Sequence, residues 1–202
     1  MNFKSKLFRN TCKILSLLII VMAFVGCSKP KNAEEPQIKE DEQALIDVTE
    51  EYNFTEEFVG EGTLSGFSFK YPSTWTNEGL SEDVEVQQVF IIDELGSNLN
   101  IIGVNVKSED MDILFNETVK LTKDIYGLDE VKTETTEING CKVNSLEYAV
   151  DYEGMKLNMI QYQISKGDKV FAVTMGSIIT GDAVNIDIIN EFKNVMNTIN
   201  IN

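Results

Sequence analysis

The chain has 202 residues, 43% of them hydrophobic, with 33 acidic side chains against 17 basic ones, no histidine and a formal net charge of −16. That balance argues against nucleic acid as a partner, because a polyanion gains nothing from counterion release at phosphates, and no basic stripe interleaved with aromatics is present. The missing histidine removes Ser-His-Asp triads, Cys-His dyads, His-based zinc sites and histidine general bases.

Lys4, Lys6, Arg9 and Lys13 form a basic head without an acid, and Ile14 to Gly26 follows as an uncharged, mostly aliphatic run. This is the layout of a secretory signal, since the run is shorter than the about 20 apolar residues that a membrane-crossing helix needs. Phe24-Val25-Gly26-Cys27 resembles the lipobox of bacterial lipoproteins, in which a signal peptidase cuts before a cysteine that has received a diacylglyceryl group. Phe24 stands where that family most often has Leu. The resemblance implies a lipoprotein signal peptide over residues 1–26, Cys27 as the lipid-attachment residue bearing palmitate-type chains, and a lipid-anchored position on the extracytoplasmic face of the cell membrane. Ser28, not Asp, follows the cysteine, so the retention signal of two-membrane bacteria is absent. Cleavage before Cys27 removes four of the 17 basic residues and no acid, which leaves 13 against 33 and a formal charge of −20. Such a charge is repelled by anionic headgroups, so the domain depends on its lipid, at about 0.8 kcal/mol per buried methylene, to stay at the surface.

Residues 27–56, rich in Lys, Glu, Asp and Gln with Pro30 and Pro36, read as an acidic flexible tether. Residues 57–202 read as one folded domain, long enough to bury a core of its own. With Cys12 in the signal and Cys27 acylated, Cys141 stands alone, so no internal disulfide is expected. Its place after Asn139-Gly140, at the head of an apolar-rich segment, reads as that of a small buried hydrophobe.

Within the domain, Phe67, Phe69 and Tyr71 alternate with Ser68 and Lys70, and Pro72 ends the strand. Val84 to Asp93 and Asn98 to Lys107 read as a hairpin across Glu94-Leu95-Gly96-Ser97. Met111, Leu114, Phe115, Thr118, Leu121, Thr122 and Ile125 line one stripe of a helix, with Ser108 or Asp110 as cap and Gly127 as stop. Strands over about Val131 to Ile138, Cys141 to Tyr152, Met155 to Ile164 and Lys169 to Gly176 follow. Their short turns at Asn139-Gly140, Glu153-Gly154 and Ser165 to Asp168 make them antiparallel neighbours. A closing helix carries Ile188, Phe192, Val195, Met196 and Ile199 behind a cap at Asp182. Leu99 and Ile101 oppose Ile102, Val104 and Val106 across their strand, as Phe171, Val173 and Met175 oppose Val170 and Ala172. A sheet apolar on both faces must be covered on both, which predicts an α+β fold. The expected form is a three-layer α/β/α sandwich around one mainly antiparallel sheet of about six or seven strands.

Chemistry-bearing motifs are scarce. The S-x-x-K match Ser28-Lys29-Pro30-Lys31 lies in the tether, where nothing holds it rigid. The glycines of Gly60 to Gly66 lead into a strand and not into a helix N-terminus, so they make a loop and not a phosphate cradle. Ser81-Glu82-Asp83, Ser108 to Asp112 and Asp129-Glu130 offer oxygen ligands but lack the alternation of an EF-hand. No catalytic residue, metal site or cofactor is assigned. Tyr71 and Trp75 are the candidate ligand-binding residues, since an aromatic pair after a strand end can stack on a ligand as well as close a core.

Phe69-Lys70-Tyr71-Pro72-Ser73-Thr74-Trp75 resembles the opening signature of the PsbP-like domains, a family that includes an extrinsic photosystem subunit, Ran-release factors and many bacterial lipoproteins. The later order of hairpin, helix, antiparallel strands and closing helix is similar too, over about Glu57 to Asn202. The resemblance implies the same sandwich and a role in binding or assembly. Histidine-containing metal sites of some relatives have no counterpart here. The expected function is therefore a lipid-anchored extracytoplasmic binding or assembly module, non-enzymatic. Its partners would be the membrane, through the lipid, and an envelope protein or small ligand. A small envelope enzyme with a carboxylate- or Lys-centred site and an acidic calcium-binding module are the alternatives.

Overall fold

The computed structural model describes residues 52, 54–79, 88–104, 106–152, 154–180 and 184–202. The signal segment with Cys27, the Ser28-Lys31 match, nearly all of the tether, the Ser81-Glu82-Asp83 cluster, residues 84–87 and the expected cap Asp182 lie outside the described residues. In chain order the strands are β1 (Glu56–Val59), β2 (Phe67–Tyr71), β3 (Thr76–Gly79), β4 (Gln88–Ile91), β5 (Asn98–Gly103), β6 (Lys132–Ile138), β7 (Cys141–Tyr152), β8 (Met155–Lys166), β9 (Lys169–Ile179) and β10 (Asn200–Ile201). Helix α1 (Met111–Tyr126) lies between β5 and β6, and α2 (Ile186–Met196) between β9 and β10.

Seven strands form an antiparallel sheet in the order β3-β4-β5-β9-β8-β7-β6. Tight turns set its register. Asn139 and Gly140 both adopt left-handed backbone, with φ of 52° and 73°, as a two-residue hairpin matched to strand twist requires, and Ile138 then faces Cys141. The Asn139 side chain also donates to the carbonyls of Asn197 and Ile199, both at 2.9 Å, which ties this hairpin to the end of α2.

One face of the sheet is mostly apolar, with Asn158 and Ser177 paired at one end of it. Leu99, Ile101, Val143, Ile160, Ile164, Phe171, Val173 and Met175 join Phe67 and Phe69 of β2 and Phe192, Val195 and Met196 of α2 in a single core. The expected strand from Phe67 to Tyr71 forms, but not in the large sheet. It sits at the centre of a second, three-stranded sheet ordered β1-β2-β10. Its Phe67, Phe69 and Tyr71 all point at the large sheet, while its two edges are taken by β1 and by the C-terminal Ile201. The layer on this face is thus a small sheet beside a helix. Phe54 packs against this core and Glu56 opens β1, so the fold takes up residues that the sequence pattern assigns to the tether.

Helix α1 covers the opposite face, burying Met111, Leu114, Phe115, Thr118 and Thr122. Ile125, expected in that stripe, is 46% exposed. The 3.6-residue repeat carries the stripe round, so the last turn presents Tyr126, which stacks on Tyr148 at 5.8 Å before Gly127 stops the helix in left-handed backbone. Helix α2 begins later than expected, capped by Asn185, whose side chain accepts from the Ile188 N–H at 3.3 Å. Ile199 lies beyond the helix, in the turn to β10, yet is fully buried. Strand β5 ends at Gly103, short of Lys107, and Val104 and Val106 pack beside Ile102, Leu114 and Ala172.

Phe90 is wholly buried and meets Phe58, Phe69, Tyr71 and Trp75 at ring separations of 5.5, 5.4, 5.0 and 6.4 Å. Phe90→Ala should therefore cost about 3–5 kcal/mol in urea unfolding, and a loss below about 1 kcal/mol would contradict its place in the core.

Candidate functional site

Tyr71 and Trp75 are buried, at 8% and 4% exposure, in the aromatic core between β2 and β4. Pro72 opens a turn closed by the Trp75 N–H on the Pro72 carbonyl, 3.1 Å. The indole then stacks on Tyr71 at 6.3 Å and donates through Nε1 to Glu191 of α2 at 2.6 Å. Both rings are spent on fixing the small sheet against α2. Cys141 is also buried, and burial pushes its thiol pKa up, away from reactive thiolate.

Open space lies on the other side of the large sheet. A groove of about 510 Å³ runs between the first turns of α1 and the edge strand β6 with its neighbour β7, with Asp112, Phe115, Asn116, Thr133, Thr135 and Asn144 among its walls. Lys142 and Asn144, two apart on β7, share a face, as do Thr133 and Thr135 on β6. Asp112 therefore meets two donors from one strand. Lys142 Nζ donates to its two oxygens at 2.7 and 2.6 Å, and Asn144 Nδ2 to Oδ1 at 3.0 Å. Thr135 completes the chain by donating to Asn144 Oδ1 at 2.9 Å.

The Lys142 hydrogen bonds, then that of Asn144, hold the Asp112 carboxyl below its ordinary pKa, against a weaker opposing effect of burial. A carboxylate kept ionised and already accepting three bonds is a poor general acid, because that role needs a raised pKa. The contact works instead as a latch that ties the start of α1 to the sheet. Among the described residues no group of three or more Cys, Asp or Glu side chains is arranged to hold a metal ion. A second, smaller recess of about 330 Å³ lies by Thr63, Ser65 and Phe171. Its glycine-rich segment makes a short 3₁₀ turn, Gly62–Leu64, and passes directly into β2.

Of the buried polar residues at α1, Gln161, Gln163 and Thr174 of the sheet escaped the sequence reading, whereas Thr122 belongs to its helical stripe. Gln161, Gln163 and Thr174 are each 1% exposed and Thr122 is wholly buried. Five of their polar atoms, the two ends of Gln161, Gln163 Oε1, Thr174 Oγ1 and Thr122 Oγ1, have no hydrogen-bonding partner among the described residues. Each such atom costs about 1–3 kcal/mol in a fold. The signal was available in the sequence, since Gln161 and Gln163 follow Leu157 and Met159 at alternate positions on one face of β8.

No family model matches the sequence, and no curated protein matches it significantly. Solved structures do match. A crystal structure from Bacteroides thetaiotaomicron, 16% identical, superposes with a TM-score of 0.50 over 72% of this chain and 48% of its own, so this chain spans about half its length. The solution structure of the cyanobacterial PsbP of Synechocystis, 16% identical, matches 73% of this chain and 92% of its own at a TM-score of 0.37. LpqN of Mycobacterium tuberculosis, described as involved in cell envelope biogenesis, is 12% identical and matches 66% of this chain and 83% of its own at 0.44. At such identities the likeness is one of fold.

Because Asp112 ionises more readily in the folded chain than in the unfolded one, its latch adds stability above the usual carboxylate pKa of about 4 and loses it as pH falls through the lower folded value. Carboxyl-carbon NMR should show Asp112 titrating below the free carboxylate range, and Lys142→Met should return it towards that range. A titration that ignores Lys142→Met would contradict the latch.

Proposed function

We propose that this chain is a lipid-anchored, extracytoplasmic binding module that takes a small ligand at the groove between α1 and β6–β7. Three features support the anchor: the basic head of Lys4 to Lys13, the aliphatic run that follows, and the lipobox-like Phe24 to Cys27. The acidic segment after Cys27 carries the domain clear of the membrane, which its negative charge also favours.

The observation that carries the binding reading is the Asp112-Lys142-Asn144-Thr135 network at the groove mouth. It gathers hydroxyl, amide and ionic groups from three elements around one opening, with Phe115 as an apolar wall, and its volume falls in the range of small-molecule sites. The network's one acid, Asp112, is held ionised by Lys142 and Asn144, so recognition fits this cluster better than catalysis does.

Fractionation of cells that express the full chain tests the anchor. Wild type should sediment with membranes and dissolve only with detergent, whereas Cys27→Ser should lose the acyl chains and become extractable without it. Identical partitioning of the two would refute anchoring through Cys27.

A further inference from the structure

An uncharged polar row leads inward from the groove along the sheet face that α1 covers. Asn144, in the groove wall, lies opposite Gln163 in the β7–β8 register. Gln161, two residues along β8 on the same face, lies opposite Thr174 of β9, and Thr174 opposite Asn100 of β5. Gln163 donates to Thr118 Oγ1 at 3.2 Å, and Thr118 donates to the Leu114 carbonyl at 2.9 Å. Beyond those bonds, both ends of Gln161, Gln163 Oε1, Thr174 Oγ1 and Thr122 Oγ1 find nothing among the described residues to pair with. The row also divides the apolar contacts beneath α1. Phe115 sits in one small cluster with Leu146 and Met159, and Leu114 in another with Ile102 and Ala172.

We propose that this row is the inner end of the binding site that opens at the Asp112 groove, that α1 lifts to expose it, and that its ligand is an uncharged molecule presenting a hydrogen-bond donor and acceptor side by side, as a carboxamide does. The proposal rests on the groove being a binding site. The ligand class follows from the chemistry of the row. A glutamine carboxamide offers an acceptor and a donor in one plane, and its complement is another amide-like edge, flanked here by two hydroxyls that rotate to either role. No ionisable side chain belongs to the row, and at the mouth Asp112 and Lys142 pair with each other, with Glu134 also in the wall. An ion moving inward would lose its hydration without gaining a countercharge. Helix α1 is the natural cover, because local opening is easiest where apolar contacts are few and polar ties face solvent. Its latch meets that description, with Lys142 and Asp112 at 45% and 61% side-chain exposure.

Nicotinamide and nicotinate differ only by carboxamide against carboxylate and make a matched pair of probes. Each is titrated at millimolar concentration into the ¹⁵N-labelled full chain in detergent micelles, with amide shifts as the readout. Nicotinamide should move resonances of α1, β8 and β9, and nicotinate should bind at least tenfold more weakly. Gln161→Leu and Thr174→Val should each weaken the nicotinamide response at least tenfold while Tm holds or rises, since each removes unpartnered buried atoms. Equal responses to the two probes, or a nicotinamide response that survives Gln161→Leu, would overturn the inference while shifts at Asn116 and Thr135 kept the groove as a binding site. No shift anywhere on α1 or β6–β9 with either probe would overturn the ligand class and count against the groove as well.

Discussion

The seven-stranded sheet presents two chemically different faces, and the difference arises at alternate positions of β8 and β9. Ile160, Ile164, Phe171, Val173 and Met175 point one way, into a core that also takes the aromatic side chains of β2 and the buried stripe of α2. Gln161, Gln163 and Thr174 point the other way, with Asn144 and Asn100 on neighbouring strands, and divide the apolar contacts available to α1. The small sheet and α2 therefore rest on one large apolar cluster, whereas α1 rests on two smaller apolar clusters with a polar strip between them. Stability is concentrated in one layer, which leaves the other freer to move.

That asymmetry links the fold to the proposed role. A helix held over a polar strip needs polar ties, and α1 has them in the Asp112 latch and the Gln163–Thr118 bond. The latch is exposed, so its Coulombic part is weak and screened by salt. The side chains that gather at the groove mouth are thus the ones whose release would free the helix. Tyr71 and Trp75, by contrast, belong wholly to the rigid side, where the indole hydrogen bond to Glu191 locks α2 in place.

Local signals in the sequence were enough for the large sheet and its two helices. Asn139-Gly140 specified its hairpin because two consecutive left-handed residues have few other uses. Gly127 stopped α1 as expected, and the alternation through β5 and β9 separated the two sheet faces correctly. What escaped was non-local. The pairing of β2 with the chain end at Ile201 joins segments more than a hundred residues apart, so no local period announces the second sheet. The Asp112-Lys142 contact spans 30 positions and brings together two residues that look like ordinary surface charges. Asn185, three residues past the expected Asp182, caps α2, since the helix starts only at Ile186. The glutamines of β8 were visible, but their lack of partners could be known only once the neighbouring strands and α1 were in place.

Native-state hydrogen exchange across the domain tests most directly whether α1 is a loosely held cover over a polar face. The amides of α1 should exchange through a local opening well below the global unfolding free energy and speed up further with added salt, while those of α2 and central β9 exchange only on global unfolding. If α1 were protected as strongly as α2, with no response to salt, the helix would be part of the rigid core and the two-faced account of this fold would be wrong.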